Sequence, residues 1–389
     1  MNNDLSGWAL LRIPDRRQCR KIAVAVGLLA LIFLAACGGN EAASPPPPTD
    51  VPPATEVAVE EPTVTPSPVP ATATTTAEPE AAPTEPAPTE TVEPTVPPTA
   101  VAEDSVTATP AGSPAGMVFV PGGVFSMGDD PNALLEECQD FRGGCQIRLF
   151  PPAGPVHEVS VNPFYIDSYE VTNQAYAMFL NEIGGHEGNC FEQDCLDLDE
   201  NAVQLGDDGQ YVVAADLQEH PVVGVSWFGA ATFCQWRGAR LPTEAEWEMA
   251  ASWDPEAQTK TRYPWGDTFD PTATNFCDVN CEAHDYADKE ADDGYAQTAP
   301  VGSYEAGRSP LGLFDMSGNV WEWVLDWFDP AYYDVSNGDN PRGPETGEIR
   351  VVRGGSWFDT GNFTSAVFRT GIPPELYDDT LGFRCAADG

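Results

Sequence analysis

The sequence predicts an α+β domain with much irregular structure, carried on an exported chain. Three observations lead there. From Met117 onward, apolar runs of a few residues alternate with Gly-, Pro- and Asp-rich stretches, and few long regular elements emerge. Eight cysteines fall in the same region, an even count behind an export signal, which reads as disulfides. Every tryptophan but Trp8 lies there too, so large apolar side chains are available to hold short elements together.

The chain opens with a basic flank, Arg12, Arg16, Arg17, Arg20 and Lys21, followed by the apolar run Ile22 to Ala36. That run is short for a membrane span and suits a signal peptide over residues 1–36. It ends Leu34-Ala35-Ala36-Cys37, which resembles a bacterial lipobox and implies cleavage before Cys37 and lipidation there. An ordinary signal peptide with an incidental cysteine and an uncleaved anchor are the alternatives. Two or more acyl chains give a stable anchor, so the expected location is the bacterial cell surface or envelope, with the membrane as partner. Residues 37–116 are Pro-, Thr- and Glu-rich, with no Lys, Arg or aromatic residue from Asn40 to Pro114. Such a segment buries too little apolar surface to offset its ordering entropy, and reads as a disordered, extended stalk.

Residues 117–389 form the predicted domain, long enough for a substantial core. Met117–Val120 and Val124–Met127 read as two strands hinged on Pro121-Gly122-Gly123. Asp129–Pro155 reads as a stapled insertion, then His157–Val161 and Phe164–Asp167 as strands. A helix follows, with Thr172 or Asn173 as N-cap and Tyr176, Phe179, Leu180 and Ile183 on its buried face. Gly184–Glu219 is acidic and loop-rich. His220–Trp227 reads as a strand running into a helix capped by Ser226, and Thr243 with Glu246 forms a capping box. Tyr263-Pro264-Trp265-Gly266 is a turn. Cysteine spacing suggests local bridges Cys138–Cys145, Cys190–Cys195 and Cys277–Cys281, leaving Cys234 with Cys385. The rival for Cys277, Cys281 and His284 is part of a zinc site, disfavoured in an oxidising compartment.

With 61 acidic against 18 basic residues and a formal charge of -43, nucleic acid is excluded as a partner. The four histidines are scattered; His157 and His220 flank predicted strands and read as structural. No Gly-x-Ser-x-Gly occurs. Trp321, Trp323, Trp327 and Trp357 read first as core and second as a ligand groove.

A series of blocks resembles the formylglycine-generating enzyme family, also called the sulfatase-modifying factor family. They are Val120-Pro121-Gly122-Gly123 with Met127-Gly128, Tyr169-Glu170-Val171-Thr172-Asn173, Val225-Ser226-Trp227, Arg240-Leu241-Pro242-Thr243-Glu244-Ala245-Glu246-Trp247-Glu248 and Tyr263-Pro264-Trp265-Gly266. They continue through Gly318-Asn319-Val320-Trp321-Glu322-Trp323, Arg353-Gly354-Gly355-Ser356-Trp357 and Gly382-Phe383-Arg384-Cys385. The resemblance implies a C-type-lectin-like variant fold and also pairs Cys234 with Cys385. Active relatives oxidise a substrate cysteine with oxygen, using Cu(I) held by two thiolates. Here those positions are Asp359 and Thr364, although the neighbouring pocket positions Ser356 and Trp321 are kept. A carboxylate and a hydroxyl do not make a soft Cu(I) site, so copper is not expected. The sequence resembles the branch of the family that lacks the cysteine pair.

The family also implies two structural calcium sites. Matching positions are Asn275, Phe276 (backbone oxygen), Asp293 and Tyr295 (backbone oxygen) for the first. For the second they are Asp315, Gly318 and Val320 (backbone oxygens) and Glu322. A solvated acidic turn at Asp292-Asp293-Gly294, and pairing of Glu322 with an arginine such as Arg353, are the alternatives. The function expected is a surface-anchored domain without copper oxidase activity, binding a protein, peptide or glycan. The alternative is an oxidoreductase of sulfatase-maturation type acting on exported protein cysteines, and a structural envelope protein is a third reading.

Overall fold

A four-stranded sheet organises the domain because it is covered on both faces. The computed structural model describes residues 114–389 apart from 143–144, 148–149 and 282–286. The leader, Cys37, the Pro/Thr-rich segment and His284 therefore lie outside the described residues. The central strand β9, Trp321–Trp327, pairs antiparallel with β10, Arg350–Arg353, and parallel with β12, Leu381–Gly382; β11, Arg369–Ile372, completes the sheet beyond β10. Successive side chains on a strand face opposite ways. Trp321, Trp323 and Val352 thus enter one core cluster, while Val324 and Val351 enter the other.

The first cluster receives α2, Asn173–Ile183, and α3, Trp227–Trp236, through Tyr176, Phe179 and Phe233. The second receives α4, Glu244–Ser252, through Trp247, Met249 and Ala250. All three helices start where expected. The side chains of Thr172, Ser226 and Thr243 accept from the backbone N–H three residues on, and Thr243–Glu246 is a complete capping box. Gly184 ends α2 in the left-handed region, at φ 86°.

Three expectations are corrected. Strands β1, Met117–Val120, and β2, Gly123–Met127, do not form a hairpin with each other. β1 pairs with β4, Phe164–Asp167, and β2 with β3, His157–Val161. The separating element is Gly122: a Cβ there would sit 2.5 Å from the carbonyl oxygen of Val161, so only glycine lets the chain cross the β3–β4 connection. The stapled insertion contains a helix, α1, Pro131–Arg142. Residues 220–227 make only isolated bridges, Thr172 with Pro221 and Leu196 with Val225, because loops take their backbone groups: Val222 N–H donates to Val171 O and Gly224 N–H to Asp378 O.

The first and last strands of the domain, β1 and β13, Ala386–Asp388, both pair with β4. Beside it, Cys385 is bridged to Cys234 of α3 with Cα atoms 5.6 Å apart. The bridges Cys138–Cys145, Cys190–Cys195 and Cys277–Cys281 are also formed, so the last two thiols are not zinc ligands. Short pairs β5–β6 (Val203–Leu205, Tyr211–Val213) and β7–β8 (Trp253–Asp254, Thr259–Lys260) complete the strands among the described residues. No helix among them is long and apolar enough to cross a membrane.

Candidate functional site

β10 ends on Arg353, whose buried guanidinium donates to Glu244 (2.8 Å) and Glu248 (2.6 Å) of α4 and to Ala366 O. Gly354 and Gly355 follow with φ of 92° and 72°. A Cβ on Gly355 would meet Thr364 Cα at 2.7 Å, so this glycine lets two backbone segments touch. The result brings together Ser356, Asp359 and Thr364, the three positions singled out on this loop, and Trp321 reaches them from β9.

One carboxylate oxygen dominates the group. Asp359 Oδ2 accepts from Ser356 Oγ (2.6 Å), Ser356 N–H (3.1 Å) and Trp321 Nε1 (2.8 Å). The Thr364 hydroxyl donates to Gly361 O at 2.8 Å, and Thr364 O accepts from Ser317 Oγ. Burial pushes the Asp359 carboxyl up to about 6, against the opposing effect of those hydrogen bonds. Both side chains at the family's copper positions are thus engaged in the loop's own bonding, and neither carries sulfur. The residues do not fit Cu(I).

Beside this loop lies a cavity of about 650 Å³. Glu137 and Asp140 of α1, Asp288 and Glu290 and, as the one cation among the described lining residues, Lys289 set its charge; Phe269, Phe276, Thr360 and Gly361 also line it. Its sign is therefore negative. Glu137 is held from inside by Tyr263 (2.9 Å) and Arg262 (3.3 Å). The four tryptophans of the proposed groove do not line it: Trp321, Trp323 and Trp357 are buried, and Trp327 stacks on the Arg350 guanidinium at 3.4 Å. His157 and His220 have structural contacts, with Pro155 O and Thr298 Oγ1.

The two calcium positions behave differently. At the first, Asn275 donates both amide hydrogens, to Gln297 O (2.8 Å) and Asn319 Oδ1 (3.0 Å), which fixes the orientation of its amide. Its Oδ1 is buried with no partner. The Asp293 carboxylate accepts from Phe276 N–H and Tyr295 N–H, and burial together with neighbouring Asp278 pushes its carboxyl up to about 7. An orphaned amide oxygen beside a desolvated carboxylate fits a hard cation. Asn275, Asp293 and the carbonyls of Phe276 and Tyr295 would hold it, and it would supply structural charge neutralisation.

At the second position Glu322 is turned elsewhere. Its carboxylate takes the Arg384 guanidinium (2.7–2.9 Å) and Trp247 Nε1 (2.8 Å); its partner is Arg384, not Arg353. Asp315 accepts from Gly302 N–H at 2.6 Å. Glu170, which accepts from Asn319 and Val320 N–H, joins them, so three buried carboxylates surround one guanidinium. Burial and mutual repulsion raise Glu170 well above the usual range, and burial raises Asp315 to about 6. Among the described residues no three His, Cys, Asp or Glu side chains converge as a metal-binding group. Glu170 and Asn319 lie inside two of the family blocks, yet they work as a pair 149 residues apart in sequence, with Ala299 N–H donating to Asn319 Oδ1.

The profile of the "Sulfatase-modifying factor enzyme 1-like domain" matches residues 102–389. The chain belongs to this family. The formylglycine-generating enzyme of Thermomonospora curvata is 34% identical over 306 residues, covering 70% of this chain and 93% of its own length. The "Inactive C-alpha-formylglycine-generating enzyme 2" of Mus musculus is 33% identical over 299 residues, covering 70% and 85%. The serine/threonine-protein kinase pkn1 of Chlamydia caviae is 34% identical over 272 residues, but this chain matches only 37% of that protein's length against 69% of its own. Among solved structures, PvdO from Pseudomonas aeruginosa aligns with a TM-score of 0.50 at 25% identity, covering 70% of this chain and 94% of that one. The family therefore includes proteins named as enzymes and a protein named as inactive.

Proposed function

We propose that this domain is a binding module without formylglycine-generating copper chemistry, holding a cationic segment of a protein or peptide in the acidic cavity. The carrying observation is Asp359 Oδ2, which takes three hydrogen bonds where the family's first copper thiolate would stand. The cavity's acidic lining complements Lys and Arg side chains and raises their local concentration. On this reading the module is lipid-anchored through Cys37, held off the membrane by residues 37–116, and stiffened by calcium at Asn275–Asp293 and, by charge, at Asp315–Glu322.

The test is a fluorescently labelled Arg/Lys-containing peptide titrated against two charge reversals. Asp140→Lys with Glu290→Lys changes the cavity; Asp207→Lys with Asp208→Lys makes the same net change on the exposed β5–β6 turn. The cavity pair is expected to weaken binding about 10-fold or more, and the turn pair much less. Equal losses overturn the assignment of the cavity. Binding of a neutral glycan array member that is insensitive to the cavity pair would also overturn it. The reading as a sulfatase-maturation oxidoreductase draws on the 34% identity to a formylglycine-generating enzyme.

A further inference from the structure

Next to the first calcium position lies a carboxylate that the sequence blocks do not single out. Asp278 sits on the five-residue loop closed by Cys277–Cys281, and it is fully buried. Its Oδ2 accepts from Asp293 N–H at 2.5 Å and from Asn280 Nδ2 at 3.0 Å; its Oδ1 accepts from Asn280 N–H at 2.7 Å. The Asp278 carboxylate therefore lies against the backbone of Asp293, whose own carboxylate accepts from Phe276 N–H and Tyr295 N–H. A fully buried and a half-buried acidic side chain thus meet at one point, and among the described residues neither forms a salt bridge with Lys or Arg.

The acidic pair is not the only pointer. The Asn275 side chain, 1% exposed, leaves Oδ1 without a donor. Phe276 N–H on Asp293 Oδ2 places that residue's neighbour directly against Asp293. A buried amide oxygen that lacks a donor, one residue before the Phe276 N–H that meets Asp293, suits an oxygen-seeking ion.

We infer that Asp278 is an additional cation ligand at the Asn275–Asp293 position, and that the Cys277–Cys281 bridge exists to present it. This rests on the calcium reading of that position and adds a second carboxylate to it. The loop explains the geometry. Cys281 N–H donates to Asp278 O, and the two Asn280 bonds fold the carboxylate back over its own turn. The bridge keeps that turn closed at a Cα separation of 5.1 Å. Two carboxylates, one amide oxygen and backbone carbonyls make a hard, oxygen-only donor set suited to calcium. The arrangement also connects to the cavity. Cys277 lines it, and Cys277 N–H donates to Asp359 O at 2.8 Å, so an ordered loop here braces the wall beside Asp359.

The test is calorimetric titration of the oxidised full chain with calcium chloride, with circular dichroism to confirm folding. Wild type is expected to bind calcium. Asp278→Asn should weaken one site about 10–100-fold, as loss of a ligand or of its immediate support does. The double variant Cys277→Ser with Cys281→Ser, which keeps the carboxylate but releases its loop, should move affinity in the same direction. Unchanged affinity in Asp278→Asn, with wild type binding, overturns the inference while leaving calcium itself standing. No calcium binding by wild type overturns both. Unchanged affinity in the cysteine variant removes the role of the bridge.

Discussion

Replacing Asp359 with Asn keeps the shape and an acceptor oxygen for Ser356 and Trp321 but removes the charge. In the folded chain the carboxyl is raised from 3.8 to about 6, chiefly by burial. A group raised in this way contributes stability that is complete below its unfolded value and is lost as pH rises through its folded value. The whole shift corresponds to roughly 3 kcal/mol, at 1.36 kcal/mol per unit. Between about pH 7.5 and about pH 4.5 it delivers roughly 2 kcal/mol of that to wild type and none to Asp359→Asn. For a domain of this size that is a relative shift in melting temperature of roughly 4–8 °C. The assay is thermal unfolding of both proteins at the two pH values, at fixed calcium, followed by near-UV circular dichroism. The other acidic groups are common to both chains, so the difference between the two curves isolates Asp359. Parallel curves for the two proteins would refute the reading of Asp359 as a desolvated structural carboxyl.

The long bridge should matter more than the short ones. Closing 151 residues between Cys234 and Cys385 is worth about 5 kcal/mol by loop entropy, against about 2 kcal/mol for the five-residue separation of Cys190 and Cys195. Paired Cys→Ser variants compared in urea should keep that order, and equal midpoints would contradict it. Glu322→Gln removes the carboxylate directly paired with the buried Arg384 guanidinium and should cost about 3 kcal/mol, with Glu170 and Asp315 left nearby. A variant that unfolds at the wild-type urea midpoint would show that Glu322 is not its essential partner.

Elements defined by local chemistry were legible in the sequence. Thr172, Ser226 and Thr243 cap helices because a short side-chain oxygen satisfies an N–H three residues on, and that requirement is local. Strand β3 was readable from its alternation and β4 as a short apolar run. Helix α1 was missed although Asp129-Asp130-Pro131 carries a start signal, with Pro at the first helical position. The run from His220 to Trp227 misled because apolar residues next to Pro221 and Gly224 pack as a buried loop as readily as a strand. Partners set by the tertiary fold were not readable. β1 and β2 part at Gly122, and Glu322 finds Arg384 rather than Arg353, through contacts with no local signature. At the site, the loss of the copper thiolates was visible at Asp359 and Thr364. The acidic cavity was not, since it joins α1 to loops more than a hundred residues away.

The central claim is that the loop after β10 holds a closed hydrogen-bond network in place of a copper site. Anaerobic Cu(I) titration against a competing chelator tests it most directly, followed by oxygen uptake with a Cys-x-Pro-x-Arg peptide. Wild type is expected to leave Cu(I) with the chelator and consume no oxygen, whereas Asp359→Cys with Thr364→Cys, which restores two soft ligands, should take up one Cu(I). Tight Cu(I) binding with peptide-dependent oxygen uptake by wild type would contradict the account.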